Sequence, residues 1–432
     1  MAAPPRAGFK TALVLAGGGA RGAYEVGVLS YLEELASSVG RRLPVEIISG
    51  TSVGAVHACY LAATADQSRD RLNGLESFWR SFTLESVLDV GFRDFLSFAR
   101  SVFRAQPSES KPVNRTPQLG LVRPLWLEQA LIRNIPWRSI KRNLDAGHFD
   151  ALSVTATHVA TGHPVVFIQQ REGGPAWKSD SGPISIAARM GPKHALASAS
   201  IPLLFPAIAI GKRLYVDGGL RLSVPLSPAL RLGAQRVIVI SVKRAEKVRP
   251  MDAVDHEPTY ATAPFLLGKT LNALFLDPTS ADVARLQQVN ELLEAGIRAH
   301  GPSFIRGLNQ ALPGGQRLRY VRELSIKPSQ DIGALAAEYA RSPRFGSRNL
   351  GMAGRFLRQL AERESEYEAD LVSYLLFEGE FASQLIELGR DDARAARDKW
   401  LRFWSDEALS EVEEQQLELD RNPSPLQGES VG

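Results

Sequence analysis

Residues 10–23, KTALVLAGGGARGA, constrain this chain more than any other stretch. An apolar β-type run, Ala12, Leu13, Val14 and Leu15, breaks into Gly17, Gly18 and Gly19, passes Ala20, Arg21 and Gly22, and opens a helical pattern. Such a strand ends in a loop with bare backbone amides. Glycine admits positive φ and lets a ligand approach the main chain, and amides at a helix start point toward negative charge. The loop therefore suits a phosphate or a transient oxyanion.

Gly17, Gly19 and Gly22 satisfy G-x-G-x-x-G in the strand-loop-helix setting that a dinucleotide fingerprint requires. A nucleotide fold would place an Asp or Glu at the end of the next strand, about 20 residues on, to hold the ribose. Here that strand, 45–48, runs instead into Ser49, Gly50, Thr51, Ser52, Val53 and Gly54. The pattern is G-x-S-x-G followed by a helical run, a nucleophile elbow in which Gly50 and Gly54 relieve crowding around an exposed serine. Ser52 also suits a plain helix N-cap. Its partnership with the glycine loop is what favours catalysis, since the two units bring amide donors and a hydroxyl to one sheet edge.

A nucleophilic serine needs a base. His256 and His300, the only histidines after residue 200, both sit in loop-like surroundings. By contrast, RLYVDGGL at 213–220 reads as a short strand stopping at Asp217 and turning on Gly218 and Gly219. An aspartate there is either a turn former or a base at the same edge as Ser52.

Together, GGGARG at 17–22, GTSVG at 50–54, ALASASIPLLF at 195–205 and DGG at 217–219 resemble the patatin-like phospholipase family, over a little more than half of the chain. The resemblance implies a three-layer α/β/α fold with a mostly parallel central sheet; the helical pattern beyond it reads as a C-terminal extension. It further implies a lipid acyl hydrolase of phospholipase A or lysophospholipase type, working through a Ser-Asp dyad and an acyl-enzyme, with neither metal nor cofactor. Carried over by motif, Ser52 is the nucleophile and Asp217 the base. Gly17, Gly18, Gly19, Arg21 and Gly22 form the oxyanion hole, and Gly50, Gly54, Gly218 and Gly219 shape the turns. An aspartate at its ordinary pKa of about 3.9 is a weak base for a hydroxyl, so the amides and the helix dipole after Ser52 must carry part of the barrier. Two other readings stand beside this one: a catalytically silent lipid-binding module, and a nucleotide-binding protein using the glycine loop.

Composition fits a globular protein of one large domain, or of a domain plus an extension: 432 residues, 44% hydrophobic, 23% charged, net charge +4. That charge does not argue for nucleic acid. The single cysteine, Cys59, rules out an internal disulfide. No signal-like segment precedes the first strand, and the longest apolar run, 196–210, contains prolines and falls short of the roughly 20 residues of a spanning helix. The expectation is a cytoplasmic protein that meets lipid from outside, any membrane contact being peripheral.

The remaining pattern divides into a catalytic domain over 9–300, with its motif-bearing core at 9–245, a helical extension over 301–420 and a disordered tail at 421–432. Helices are expected at 23–35, 55–65, 64–103, 265–275, 280–299, 331–340 and from 354 to about 419, with a β-hairpin at 151–169 turning on Thr161 and Gly162. A polar loop at 106–117 and a hinge-like stretch at 243–264 interrupt them. His158 and His163 read as structural, and His57 as a residue of the elbow helix. Residues 371–388 carry apolar side chains at helical spacing and read as core in preference to a membrane face, given the acids beside them. KWLRFW at 399–404 reads as helical surface before an acidic run, with an interfacial contact as the second reading.

Overall fold

The computed structural model describes residues 9–40, 42–67, 71–84, 124–171, 177, 182–202, 205–244, 277–301, 303–312, 318–346, 354, 355, 357, 358, 361 and 369–405. The expected loop at 106–117, the helical pattern over 85–103, most of the hinge-like stretch, His256, the helix at 265–275 and the tail at 421–432 lie outside the described residues.

Nine strands form one sheet: β1 Thr11–Leu15, β2 Ile47–Thr51, β3 Ala151–His158, β4 Pro164–Gln170, β5 Ile184–Ala187, β6 Ile208–Ile210, β7 Arg213–Asp217, β8 Arg236–Ile240 and β9 Arg322–Ile326. The order is β5-β4-β3-β2-β1-β8-β9, with the β6–β7 hairpin attached to β3 through β7. Five of the strand pairings are parallel: β1 with β2 and β8, β2 with β3, β4 with β5, and β8 with β9. β1, β2 and β8 are buried throughout, as suits the near-continuous apolar runs of a sheet covered on both faces. β3 and β4 form the expected antiparallel hairpin, and Gly162 takes φ +65° in its turn.

Helices cover both faces. Leu13, Leu15, Ile48 and Ile238 share a core with α1 Ala23–Ser38, α2 Val53–Ala63, α3 Arg71–Arg80 and helices from the C-terminal region. Ala12, Val14, Val237 and Val239 face the other way, toward Leu226 and Ala229 of α7 Leu226–Arg231 and Val283 and Leu286 of α8 Asp277–His300. Between these runs lie α4 Pro124–Asn134, α5 Trp137–Asp145 and α6 Pro192–Ser198.

After α9 Phe304–Ala311 the chain forms β9, which joins the sheet beside β8 and so sets a strand within a stretch whose pattern reads as helical. Then follow α10 Ile332–Arg341, α11 Ala369–Leu375, α12 Gly379–Ala395 and α13 Arg397–Trp404. α12 packs directly on α1. A side chain at Gly27 would overlap the Ile386 carbonyl, and one at Gly389 the Tyr24 carbonyl, so a glycine from each helix allows the backbones to touch. Tyr24 donates to Asp392 across the same interface at 3.1 Å. The sequence pattern gives α1 one apolar face. In the structure α1 is buried nearly all round, because α12 covers its outer side.

Residues 372–388 are core, as their spacing suggests: Tyr374, Phe381, Leu385 and Ile386 are fully buried or nearly so. In α13, Trp400 and Phe403 point inward while Lys399, Leu401 and Arg402 are exposed.

Candidate active site

Strand register explains how Ser52 and Asp217 meet. β2 follows one edge of β3 as far as Thr51, which pairs with Thr155, and there it leaves the sheet. The opposite edge of β3 is occupied by β4. β7 therefore arrives on the edge that β2 has vacated, running antiparallel, and its last residue, Asp217, pairs with Ala156. The two strands end head to head, and the Ser52 hydroxyl donates to Asp217 Oδ2 at 2.7 Å.

Ser52 takes φ +55°, the only non-glycine residue with positive φ among those described. That is the sharp turn of an elbow, a strained conformation which the surroundings must hold in place. Crowding around it accounts for the flanking glycines: a Cβ on Gly50 would overlap the Gly54 carbonyl, and one on Gly54 the Leu15 carbonyl. The Ser52 amide donates to Ser198 Oγ at 2.8 Å, and Ser198 in turn donates to the Thr155 carbonyl at 2.5 Å. Ser198 belongs to the 195–205 segment and pins the elbow to β3, a role that no local sequence pattern signals.

Asp217 is fully buried. Its Oδ1 accepts from the Gly219 amide at 2.7 Å, its own amide donates to the Ser200 carbonyl at 2.9 Å, and Thr157 Oγ1 donates to its carbonyl at 2.9 Å. A Cβ on Gly218 would overlap the Thr155 carbonyl, so the turn after Asp217 also has room only for glycine. Burial pushes the carboxyl up to about 7, against the opposing effect of the Ser52 and Gly219 hydrogen bonds. The carboxyl thus titrates near neutrality, where a general base works best.

The glycine loop lies alongside. A Cβ on Gly17 would stand 3.1 Å from Ser52 Cβ, and one on Gly22 2.6 Å from Val53 Cγ2, so both ends of the loop pack on the elbow. The Gly17 amide is occupied, donating to the Ser223 carbonyl at 3.1 Å. The amides of Gly18 and Gly19 donate to no described residue, and Gly19 takes φ +57° at the start of a 3-10 turn, Gly19–Gly22. Gly17 thus abuts Ser52, and α2 begins at Val53 immediately after it, so the loop and the N-terminus of α2 both adjoin the serine. Arg21 is directed elsewhere. Its Nε donates to Ser373 at 2.7 Å and its guanidinium lies 4.6 Å from the centre of the Tyr374 ring, so it ties the loop to α11.

No histidine is hydrogen-bonded to Ser52 or Asp217 among the described residues. His57 is buried between Glu25 and Trp79, at 2.8 and 2.9 Å. His158 shares a turn with Thr161, and His300 stacks on Phe304. Cys59 is buried, which pushes its thiol up and leaves it inert.

A sequence model of the family described as patatin-like phospholipase matches residues 13–230. The mouse patatin-like phospholipase domain-containing protein 6 is 35% identical over 123 residues, covering 28% of this chain and 8% of that protein. Lysophospholipase NTE1 of Cryptococcus neoformans is 23% identical over 254 residues, covering 57% of this chain and 12% of that protein. The chain thus spans a small part of the length of these relatives. Among solved structures, human GIVD cytosolic phospholipase A2 in complex with methyl gamma-linolenyl fluorophosphonate is matched at a TM-score of 0.38 and 12% identity, covering 92% of this chain and 59% of that one.

Proposed function

The chain belongs to the patatin-like phospholipase family, and on that premise we propose that it hydrolyses acyl esters of lipids, as a phospholipase A or lysophospholipase, through Ser52 and Asp217. The observation that carries the reading is the 2.7 Å bond from the Ser52 hydroxyl to a buried carboxyl that titrates near 7.

Ser52 Oγ attacks the ester carbonyl as its proton passes to Asp217 Oδ2. The negative charge on the carbonyl oxygen is met by the amides of Gly18 and Gly19, with the N-terminal dipole of α2 adding to the stabilisation. Gly17, Arg21 and Gly22 shape the loop that presents those amides. Protonated Asp217 returns the proton to the leaving alkoxide, giving an acyl-serine and free alcohol. It then takes a proton from water, whose oxygen attacks the acyl group, and passes that proton to the departing Ser52 Oγ as the fatty acid is released, which restores the starting dyad. One carboxyl serves both halves because its environment keeps the protonated and ionised forms close in energy at neutral pH. The oxyanion donors are a large part of the machinery, since loss of one typically costs about 2.7–4 kcal/mol.

The experiment is fatty-acid release from a panel of phospholipids, lysophospholipids and short-chain nitrophenyl esters, run with wild type and Ser52→Ala side by side, with fluorophosphonate labelling mapped to a residue. Serine-dependent release and label on Ser52 are expected. A folded wild type that releases nothing and takes no label would leave a lipid-binding module without turnover.

A further inference from the structure

The β6–β7 hairpin delivers Asp217, but most of it lies beyond the dyad. Asp217 pairs with Ala156, Tyr215 with His158, and Val159, past the end of β3, donates its amide to the Leu214 carbonyl at 2.9 Å. The hairpin therefore runs out past the carboxyl edge of the sheet, the edge at which Ser52 emerges. Lys212, at its turn, is five residues from Asp217, a reach of about 17 Å at about 3.4 Å per residue. The 159–163 turn stands beside it, tied on by Arg221, whose Nε donates to the Gly162 carbonyl at 2.9 Å.

The outer face of this projection is apolar. Ala209 and Leu214 are cross-strand partners and Val159 is the next neighbour, so the three share one face. All three are exposed, Leu214 at 41% and Val159 at 46%. A single exposed leucine is ordinary; an adjoining set at the mouth of a site is less so. Lys212 and Arg213, at the turn and start of β7, and Arg221, bonded to the 159–163 turn, are exposed close by in the chain. The charge pattern is one-sided in the sequence as well. Residues 181–245 contain nine lysines and arginines and one acid, the buried Asp217, and residues 151–171 contain no acid, although the whole chain is nearly balanced at 51 basic and 47 acidic residues.

We propose that the β6–β7 hairpin, with the 159–163 turn, docks the protein on an anionic lipid bilayer, Leu214 and Val159 entering the interface and Lys212, Arg213 and Arg221 facing lipid phosphates. An acidic protein surface would satisfy the cations but would leave the apolar face without a reason, whereas a bilayer accepts both. The purpose of docking rests on the lipid hydrolase reading; its measurement does not.

The test is co-sedimentation of the full chain, carrying Ser52→Ala so that lipid is not consumed, with vesicles of phosphatidylcholine alone and of phosphatidylcholine and phosphatidylglycerol in equal parts. Binding to the anionic vesicles alone, weakened by salt, is expected. Lys212→Glu with Arg213→Glu, and separately Leu214→Asp, should each weaken it by about tenfold or more, while Lys141→Glu, on a distant helix, should not. With Ser52 restored, the hairpin variants should hydrolyse a soluble nitrophenyl ester as wild type does and lose activity on vesicles. No binding, equal binding to both vesicles, or variants that bind like wild type would overturn the proposal. Intact vesicle binding without hydrolysis of any ester would overturn the hydrolase reading and leave docking standing.

Discussion

The indole N–H of Trp79 donates to Nε2 of His57 over 2.9 Å, so that nitrogen carries no proton and Nδ1 must supply the one shared with Glu25 at 2.8 Å. Burial pushes the imidazole down to about 3 and the Glu25 carboxyl well up, so the site disfavours the charged form of either partner. It joins α1, which starts after the glycine loop, to α2, which starts after Ser52. His57→Ala leaves the indole and the carboxyl buried without their partner, and stability should fall by about 3 kcal/mol. Chemical denaturation measures the loss, and an unchanged pH midpoint of hydrolysis in that variant would separate this structural role from that of a base.

On the proposed mechanism, Asp217 sets the pH dependence. kcat/KM for a soluble ester should rise with pH and level off, with a midpoint near 7, as the carboxyl loses its proton. An acidic midpoint near 4 would show a carboxylate in ordinary surroundings and would remove Asp217 from the role of neutral-pH base.

The same shift has a stability consequence of fixed sign. The folded carboxyl holds its proton up to about 7, while in the unfolded chain it loses it near 4. Its contribution is thus full below the unfolded pKa and is lost as pH rises through 7, because the ionised form is buried. Asp217→Asn should abolish turnover and yet raise stability at pH 8 by on the order of a few kcal/mol, read as a higher Tm, with little change at pH 4. Thermal melts at the two pH values decide it.

Gly19→Ala combines two faults. The residue sits at φ +57°, and its new Cβ would stand 2.6 Å from the Tyr374 carbonyl oxygen. A cost of about 1–3 kcal/mol in stability is expected, together with a fall in kcat of about a hundredfold as the amide moves off line. Calorimetry and ester kinetics on one preparation measure both.

Arg21→Lys keeps the charge but loses the Nε bond to Ser373 and the flat contact with Tyr374. Ester hydrolysis should fall by about tenfold in kcat with KM little altered, since the substrate amides remain but are less well held. Ser373→Ala should reproduce part of this fall. A full-speed Ser373→Ala enzyme would confine the contact to folding.

The elements nearest the chemistry were the most legible in sequence, because they are short and local. The β1 run into three glycines, the elbow around Ser52 and the strand stopping at Asp217 each announce themselves within a few residues. What bound them together was not legible. Ser198 under the elbow, Ser223 on the Gly17 amide and Ser373 on Arg21 act through long-range hydrogen bonds that leave no periodic trace. β9 fell within a stretch of helical character, and its five residues, RELSI, show too little alternation to stand out. The raised pKa of Asp217 comes from desolvation, a property of the assembled interior and absent from the DGG motif. The one-sided charge of residues 181–245 is hidden from a reading of the whole chain, because it is diluted in the net charge of +4.

Arg21 and Ser373 are 352 positions apart, and Tyr24 and Asp392, where α12 closes over α1, are 368 apart. During synthesis, the nucleophile, the base and the glycine loop all leave the ribosome long before their brace. On the proposed mechanism, a nascent chain that has not yet reached Ser373 carries Ser52 and Asp217 while their glycine loop still lacks the contact that holds it, and a product stopped before that residue would be disarmed by the order of its own synthesis.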